Sequence, residues 1–249
     1  AVGRRALAEG KGDAFASAGN SGALVVGATM IVKRIKGVKR VAFAPLLPKS
    51  QGFFMLSDGG ASVDCRPEML LQFGLMGAAY MRDVMGVENP RVGLVNVGTE
   101  SHKGDELRHQ AYELLRQRKD LHFIGNVEAR DIPYDGCDVA VTDGFTGNVM
   151  LKLFEGVAMA LMDKFKGVFS QSLKNKLAAA AVYGDLKKLK KSLDYNEYGG
   201  APIMGAAKPV FKIHGSAKAS TVKSALRLTR DFAQSGCVDK VAQAGEPQE

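Results

Sequence analysis

Short apolar runs alternate along the chain with longer stretches whose apolar residues recur at helical spacing. The runs at 14–18 (AFASA), 40–44 (RVAFA), 53–57 (FFMLS), 92–97 (VGLVNV), 122–124 and 139–142 (VAVT) read as strands, and a later pair falls at 203–204 and 210–213. Several are apolar at consecutive positions, the mark of strands buried on both faces of a parallel sheet. Helical spacing fills the intervals 22–35, 67–84, 103–118 and 146–169, and Pro67 suits the first turn of the second. This alternation predicts an α/β architecture with right-handed crossovers. No internal repeat or low-complexity linker interrupts it, so 1–249 reads as a single α/β domain.

One segment, at about 156–194, departs from the alternation. Leu161, Phe165, Val168 and Phe169 share a helical face that Leu173 and Leu177 continue; Leu186, Leu189 and Leu193 line a face opposite Lys187, Lys188, Lys190 and Lys191. No strand intervenes, so a protruding pair of amphipathic helices is expected here. Such a pair can pack on a partner subunit, or its lysine-bearing face can lie on a membrane surface; the two are compatible. At the other end, the amphipathic piece 2–9 leads straight into a strand, as though the chain begins within a domain.

Composition changes this picture little. At 46% hydrophobic and 24% charged residues the chain falls in the ordinary globular range, and no run approaches the roughly 18 apolar residues of a bilayer span. Cys65, Cys137 and Cys237 are odd in number and widely spaced, which fits reduced thiols, and no Cys/His cluster has zinc spacing. The net charge of +8 points to an anionic partner. Nucleic acid is the poorest fit, since no recognition motif is present.

The polar loops carry the chemistry. GNSG (19–22), DGGASVDCRP (58–67), GTESHKG (98–104) and DGFTGN (143–148) each follow a predicted strand and enter a helix. Ligands of open α/β sheets bind at that edge, where helix N-termini present free N–H groups. Any one such loop is ordinary turn and cap chemistry; four at one edge predict an anion pocket. None matches the Walker or GxGxxG patterns. Asn20 and Asn148 can donate to an oxyanion. Lys103 is expected to open a helix, adding a cation to its positive end, or else to be solvated. Asp58, Asp64 and Asp143 either order these loops or act as bases. No GxSxG elbow is present. Cys65 beside Arg66 is either packed or reactive, and His214 either positions substrate or transfers protons. In 194–205, Gly199 and Gly200 permit a tight path and Tyr195 and Tyr198 can wall a pocket, or the stretch is a crossover. Phe145 reads as an acyl-site wall and Lys152 as a solvated helix residue.

Taken in order, SAGNSGAL, DGGASVDCRPE, NVGTESHKG, VTDGFTGNVMLKLFEG, DYNEYGGAPIMG and KIHGSA resemble the successive motifs of the phosphate acyltransferases of bacterial phospholipid synthesis, the PlsX family, over about 10–232. The resemblance implies a dimeric three-layer α/β/α sandwich with a mostly parallel sheet, like isocitrate and isopropylmalate dehydrogenases. It implies transfer of an acyl group from acyl carrier protein to inorganic phosphate, without metal or organic cofactor. It also implies a cytoplasmic enzyme held peripherally at the inner face of the membrane, feeding a membrane glycerol-3-phosphate acyltransferase. Carried over, Lys103 holds phosphate and Asn148 stabilises the oxyanion. Asn20, Gly22, Asp58, Gly60, Asp64, Asn96, Gly98, Asp143, Gly144, Gly147 and His214 line the substrate site. The family's N-terminal Asp-Ala-Met-Gly-Gly-Asp strand has no counterpart here. Gly59 and Ser62 stand where the family tends to have valine and asparagine, and GAAKP (205–209) lacks its asparagine-glycine. Two other functions fit the same residues: a phosphotransacetylase-like enzyme using acyl-coenzyme A, and a non-catalytic scaffold for acyl carrier protein at the membrane.

Overall fold

A computed structural model describes residues 1–192 and 199–244. The expectations placed on Leu193, Tyr195 and Tyr198 lie outside the described residues, as do the side chains of Lys190 and Lys191.

Helix α1 (Val2–Ala8) leads into β1 (Phe15–Ser17) and α2 (Ser21–Gly27), which runs on into a π turn, Ala28–Val32. Then come β2 (Ala42–Phe43), β3 (Leu46–Pro48), β4 (Phe53–Ser57), α3 (Pro67–Asp83), β5 (Val92–Asn96), α4 (Glu106–Arg116), β6 (Phe123–Glu128) and β7 (Val139–Val141). The chain continues through α5 (Gly144–Ser170), α6 (Leu173–Ala181), α7 (Tyr183–Ser192), β8 (Ala201–Met204), β9 (Val210–Lys212), α8 (Ala219–Gln234) and α9 (Cys237–Ala244).

The strands form two sheets in place of a single mostly parallel one. Five are ordered β3-β4-β7-β5-β6, parallel except for β3; four are ordered β1-β9-β8-β2, where only β1 and β9 run parallel. The reason lies in the connections. The link from β8 to β9 is too short for a crossover and forces an antiparallel pair. Consequently the loop after β1 belongs to a different sheet from the loops after β4, β5 and β7.

Within the five-stranded sheet the expectation of double burial is met. Met55, Val92, Leu94, Val139 and Val141 point into a core shared with α3, while Phe54, Leu56, Val95 and Ala140 point into one shared with Leu151 of α5. Helix α3 also reaches the other sheet. Tyr80 packs edge-on to Phe232 of α8 at 5.2 Å, and Phe232 to Phe211 of β9 at 5.8 Å, so one aromatic cluster ties both sheets together.

Two helices start or end differently from expectation. Asp105 caps α4 by accepting from the Arg108 N–H at 2.9 Å, so the helix begins at Glu106 and Lys103 lies in the loop ahead of it. Beyond Ser170 the segment expected as a helical pair forms α6 and α7, separate short helices after the 27-residue α5. Leu151 is buried, whereas Phe145, Val149, Leu153, Val157, Leu161 and Val168 of α5 are exposed. By length and composition α5 is apolar enough to cross a bilayer, though its first turns are packed into the protein.

Candidate active site

The site is a cleft of about 390 Å³ between the two sheets. Ser21 and Gly22 open α2 on one side of it, where Lys212 ends β9 and His214 and Gly215 follow. On the other side stand Gly59, Gly60 and Ala61 after β4, and Asn148, Leu151, Lys152 and Glu155 on α5. Val25, Val26, Phe43, Pro45 and Leu46 add an apolar stretch of wall. Of the expected site residues, Gly22, Gly60, Asn148 and His214 therefore meet in one cleft. His214 bonds Ser216 Oγ through Nδ1 at 2.8 Å.

The junction between the β4 loop and α5 is built around Asp58. Its carboxylate is buried and accepts from the backbone N–H groups of Phe43 (2.8 Å), Gly60 (3.1 Å), Ala61 (2.9 Å) and Ser62 (2.6 Å). Burial pushes its pKa up to about 6, and the four N–H donors only partly offset that. The loop it folds lies directly on the first turn of α5. Gly144 N–H donates to Ser62 O at 2.7 Å, and a Cβ at Gly147 would stand 1.9 Å from Asp58 O. Gly60, at φ +129, brings its backbone against the Asn148 amide, which donates to Gly59 O at 3.3 Å. The glycines of DGG and DGFTGN thus serve close backbone approach between two loops.

Asp143 caps α5, accepting from Thr146 N–H at 2.9 Å and from the Thr146 hydroxyl at 2.8 Å. It also pairs with Arg108. Burial raises its pKa, but these bonds and the Arg108 charge outweigh it and hold the carboxyl below the usual carboxylate range. Asp58 and Asp143 therefore order their loops, as one of the two sequence readings had it. Asn20 does the same for α2, accepting from Ala23 N–H at 3.0 Å. Asp64 is exposed on the β4 loop.

Lys103 stands in the exposed loop after β5 and is not part of the cleft wall. Two asparagines pin that loop. Asn96 donates to Lys103 O at 2.9 Å, and Asn126 of β6 donates to Glu100 O at 2.8 Å. The Lys103 stem lies over Gly98, where a Cβ would meet its Cγ at 3.2 Å. Since α4 starts at Glu106, the positive end of that helix faces its own cap rather than reinforcing Lys103.

Sequence reasoning missed Arg108. It donates to Asp105 at 2.8 Å and to the Thr146 hydroxyl at 3.2 Å, besides its pair with Asp143. Its guanidinium fork ties the start of α4, and with it the Lys103 loop, to the start of α5. No local motif marks an arginine in the first turn of a helix as a tie to a distant element. Lys212 was missed too, and Lys152 lines the cleft although it reads as a solvated residue. The reactive reading of Cys65 fails. Burial pushes its thiol up to about 11, and it donates to Ser62 O at 3.3 Å, so it stays protonated and packed.

The comparisons bear on this geometry. The family model for "Fatty acid synthesis protein" matches residues 1–240. A phosphate acyltransferase of Caldanaerobacter subterraneus subsp. tengcongensis is 46% identical over 231 residues, covering 93% of this chain and 69% of the relative. One from Bacillus subtilis (strain 168) is 48% identical over 227 residues, covering 91% and 68%. Among solved structures, a phosphotransacetylase from Streptococcus pyogenes aligns with a TM-score of 0.66 at 15% identity, and the EutD phosphotransacetylase from Staphylococcus aureus with 0.62 at 16%. Each covers 93% of this chain, which spans 66% of either structure. At such identity the likeness is one of fold.

Proposed function

The chain belongs to the family of fatty acid synthesis proteins that includes the phosphate acyltransferases, and from that premise we propose that its cleft transfers an acyl group from acyl carrier protein to inorganic phosphate. The observation that carries the chemistry is the placing of Asn148. Its amide gives one N–H to Gly59 O and has a second to give, at the mouth of a helix that faces an apolar-walled cleft. A phosphate oxygen attacks the thioester carbonyl and a tetrahedral oxyanion forms. Asn148 donates to that oxygen as its charge grows. Collapse re-forms the carbonyl, breaks the C–S bond and releases the carrier's thiolate, a leaving group stable enough to need no strong acid. The family resemblance gives Lys103 the neutralising of phosphate; its pinned loop stands outside the cleft wall, and Arg108 ties that loop to the start of α5.

Two wider features belong to the same reading. The exposed apolar stripe of α5 supports a homodimer. The exposed lysines of α6 and α7 support a peripheral contact with anionic lipid at the inner face of the membrane.

The test is acyl phosphate formation from acyl carrier protein and from acyl-coenzyme A. Lys103→Ala and Asn148→Ala are each expected to lower kcat on the carrier substrate by about 100-fold or more. Unchanged turnover in both variants sinks the residue assignment; a clear preference for coenzyme A sinks the carrier as substrate.

A further inference from the structure

Two cations in the cleft have no part in the mechanism above. Lys152 sits one helical turn beyond Asn148 on α5, about 6 Å along the axis, and Lys212 ends β9 of the other sheet. Both line the cleft, from opposite walls. We propose that Lys152 and Lys212 form a phosphoryl-binding pair beside the apolar wall of the cleft.

Three observations support it. First, the pair is only partly compensated. Lys152 bonds Glu155 at 2.8 Å, while Lys212 donates to the neutral Ile213 carbonyl at 2.6 Å. Among the described residues, the charged side chains of the cleft wall are these two lysines and Glu155, a net charge of +1 beside His214. Second, each ammonium has three N–H donors, and the bonds named use one apiece, so both retain donors for an anion. Lys152 itself is largely exposed, so its ammonium can turn from the half-buried Glu155 toward an anion in the cleft. Third, the two charges feel each other. Partial burial and then the nearby Lys152 charge hold Lys212 below the usual lysine range, the situation an anion between them relieves. The apolar wall of Val25, Val26, Phe43 and Leu46 beside this pair suits a ligand with an alkyl chain at one end and a phosphoryl group near the other.

The phosphoryl group has two sources in the proposed reaction, on which the choice of ligands rests: inorganic phosphate, and the phosphodiester of the phosphopantetheine arm that carries the thioester. Calorimetric titration of the wild-type chain, K152Q and K212Q with inorganic phosphate, an acyl-phosphopantetheine thioester and the corresponding pantetheine thioester without phosphate separates them. Both variants are expected to bind a phosphoryl ligand about tenfold or more weakly, while the phosphate-free thioester binds all three proteins alike. Loss confined to inorganic phosphate assigns the pair to the attacking group; loss confined to the phosphopantetheine thioester assigns it to the arm. Wild-type affinity for both ligands in the variants overturns the proposal, as does failure of the wild-type chain to bind either. K152Q alters a side chain on an exposed helix face, so it carries the test should K212Q fail to fold. Lys152→Arg is expected to retain binding. The readout needs no turnover, so the Lys103 and Asn148 assignments can fail while this pair stands, and the reverse.

Discussion

Asp58 shows how one buried residue can organise the chain around it. Its four N–H donors come from residues 43 and 60–62, so it draws the chain before β3 and the loop after β4 into one unit. Ionised, the carboxylate satisfies them all; buried, it nonetheless holds a proton more firmly than in the unfolded chain, where 3.8 is its ordinary value. The sign follows. The folded state binds the extra proton between about pH 4 and 6, so this group contributes stability that is full below pH 4 and lost as pH rises through 6, on the order of 3 kcal/mol. A carboxyl carbon resonance of Asp58 titrating near pH 6 is the expected result, and a midpoint below 4 would contradict it. A loop-ordering role was legible in the sequence, because Asp before Gly-Gly after a strand is turn chemistry. Its burial was not, since burial comes from Phe43 and α5, distant along the chain. The same holds for the ties of Arg108 to Asp143 and Thr146 and for the nearness of Lys212 to Lys152, which only folding creates.

Among the elements, α5 bears the heaviest constraint at its start and the lightest at its middle, and two glycines expose the difference. A methyl at Gly147 would meet Asp58 O at 1.9 Å, backbone that cannot turn away, whereas nothing lies within 4 Å of a methyl at Gly156. Gly147→Ala is therefore expected to destabilise by about 1–3 kcal/mol or more and to displace Asn148. Gly156→Ala is expected to stabilise by about 0.5–1 kcal/mol. Thermal melts of the two variants decide it; equal shifts would show that the two loops are not packed as described. Strands 53–57 and 92–96 were readable because both faces are buried and the runs are unbroken. Strand β3 was not, because Pro48 ends it and three residues carry little pattern. The α4 start was misjudged because Lys103 follows a glycine-bearing loop, while the working cap, Asp105, lies two residues later.

On the scale of the whole molecule the unresolved demand is the surface of α5. Phe145, Val149, Leu153 and Val157 recur every fourth residue, all more than half exposed, and Leu161 continues the stripe along a helix about 40 Å long. A contiguous apolar stripe of that length marks an interface. Self-association through the stripe of a second copy would cover it with the symmetry most soluble oligomers use. The stripe also lies away from the cleft face of the same helix, where Asn148, Leu151, Lys152 and Glu155 point, so a dimer formed this way leaves the site open. Leu153→Asp with Val157→Asp is expected to convert a sedimenting dimer to monomer while phosphate affinity at the cleft stays near wild type. A variant that remains dimeric would move the interface elsewhere. A wild-type chain that is monomeric in solution but floats with anionic vesicles would give the stripe to lipid, with the lysines of α6 and α7 turned toward the headgroups.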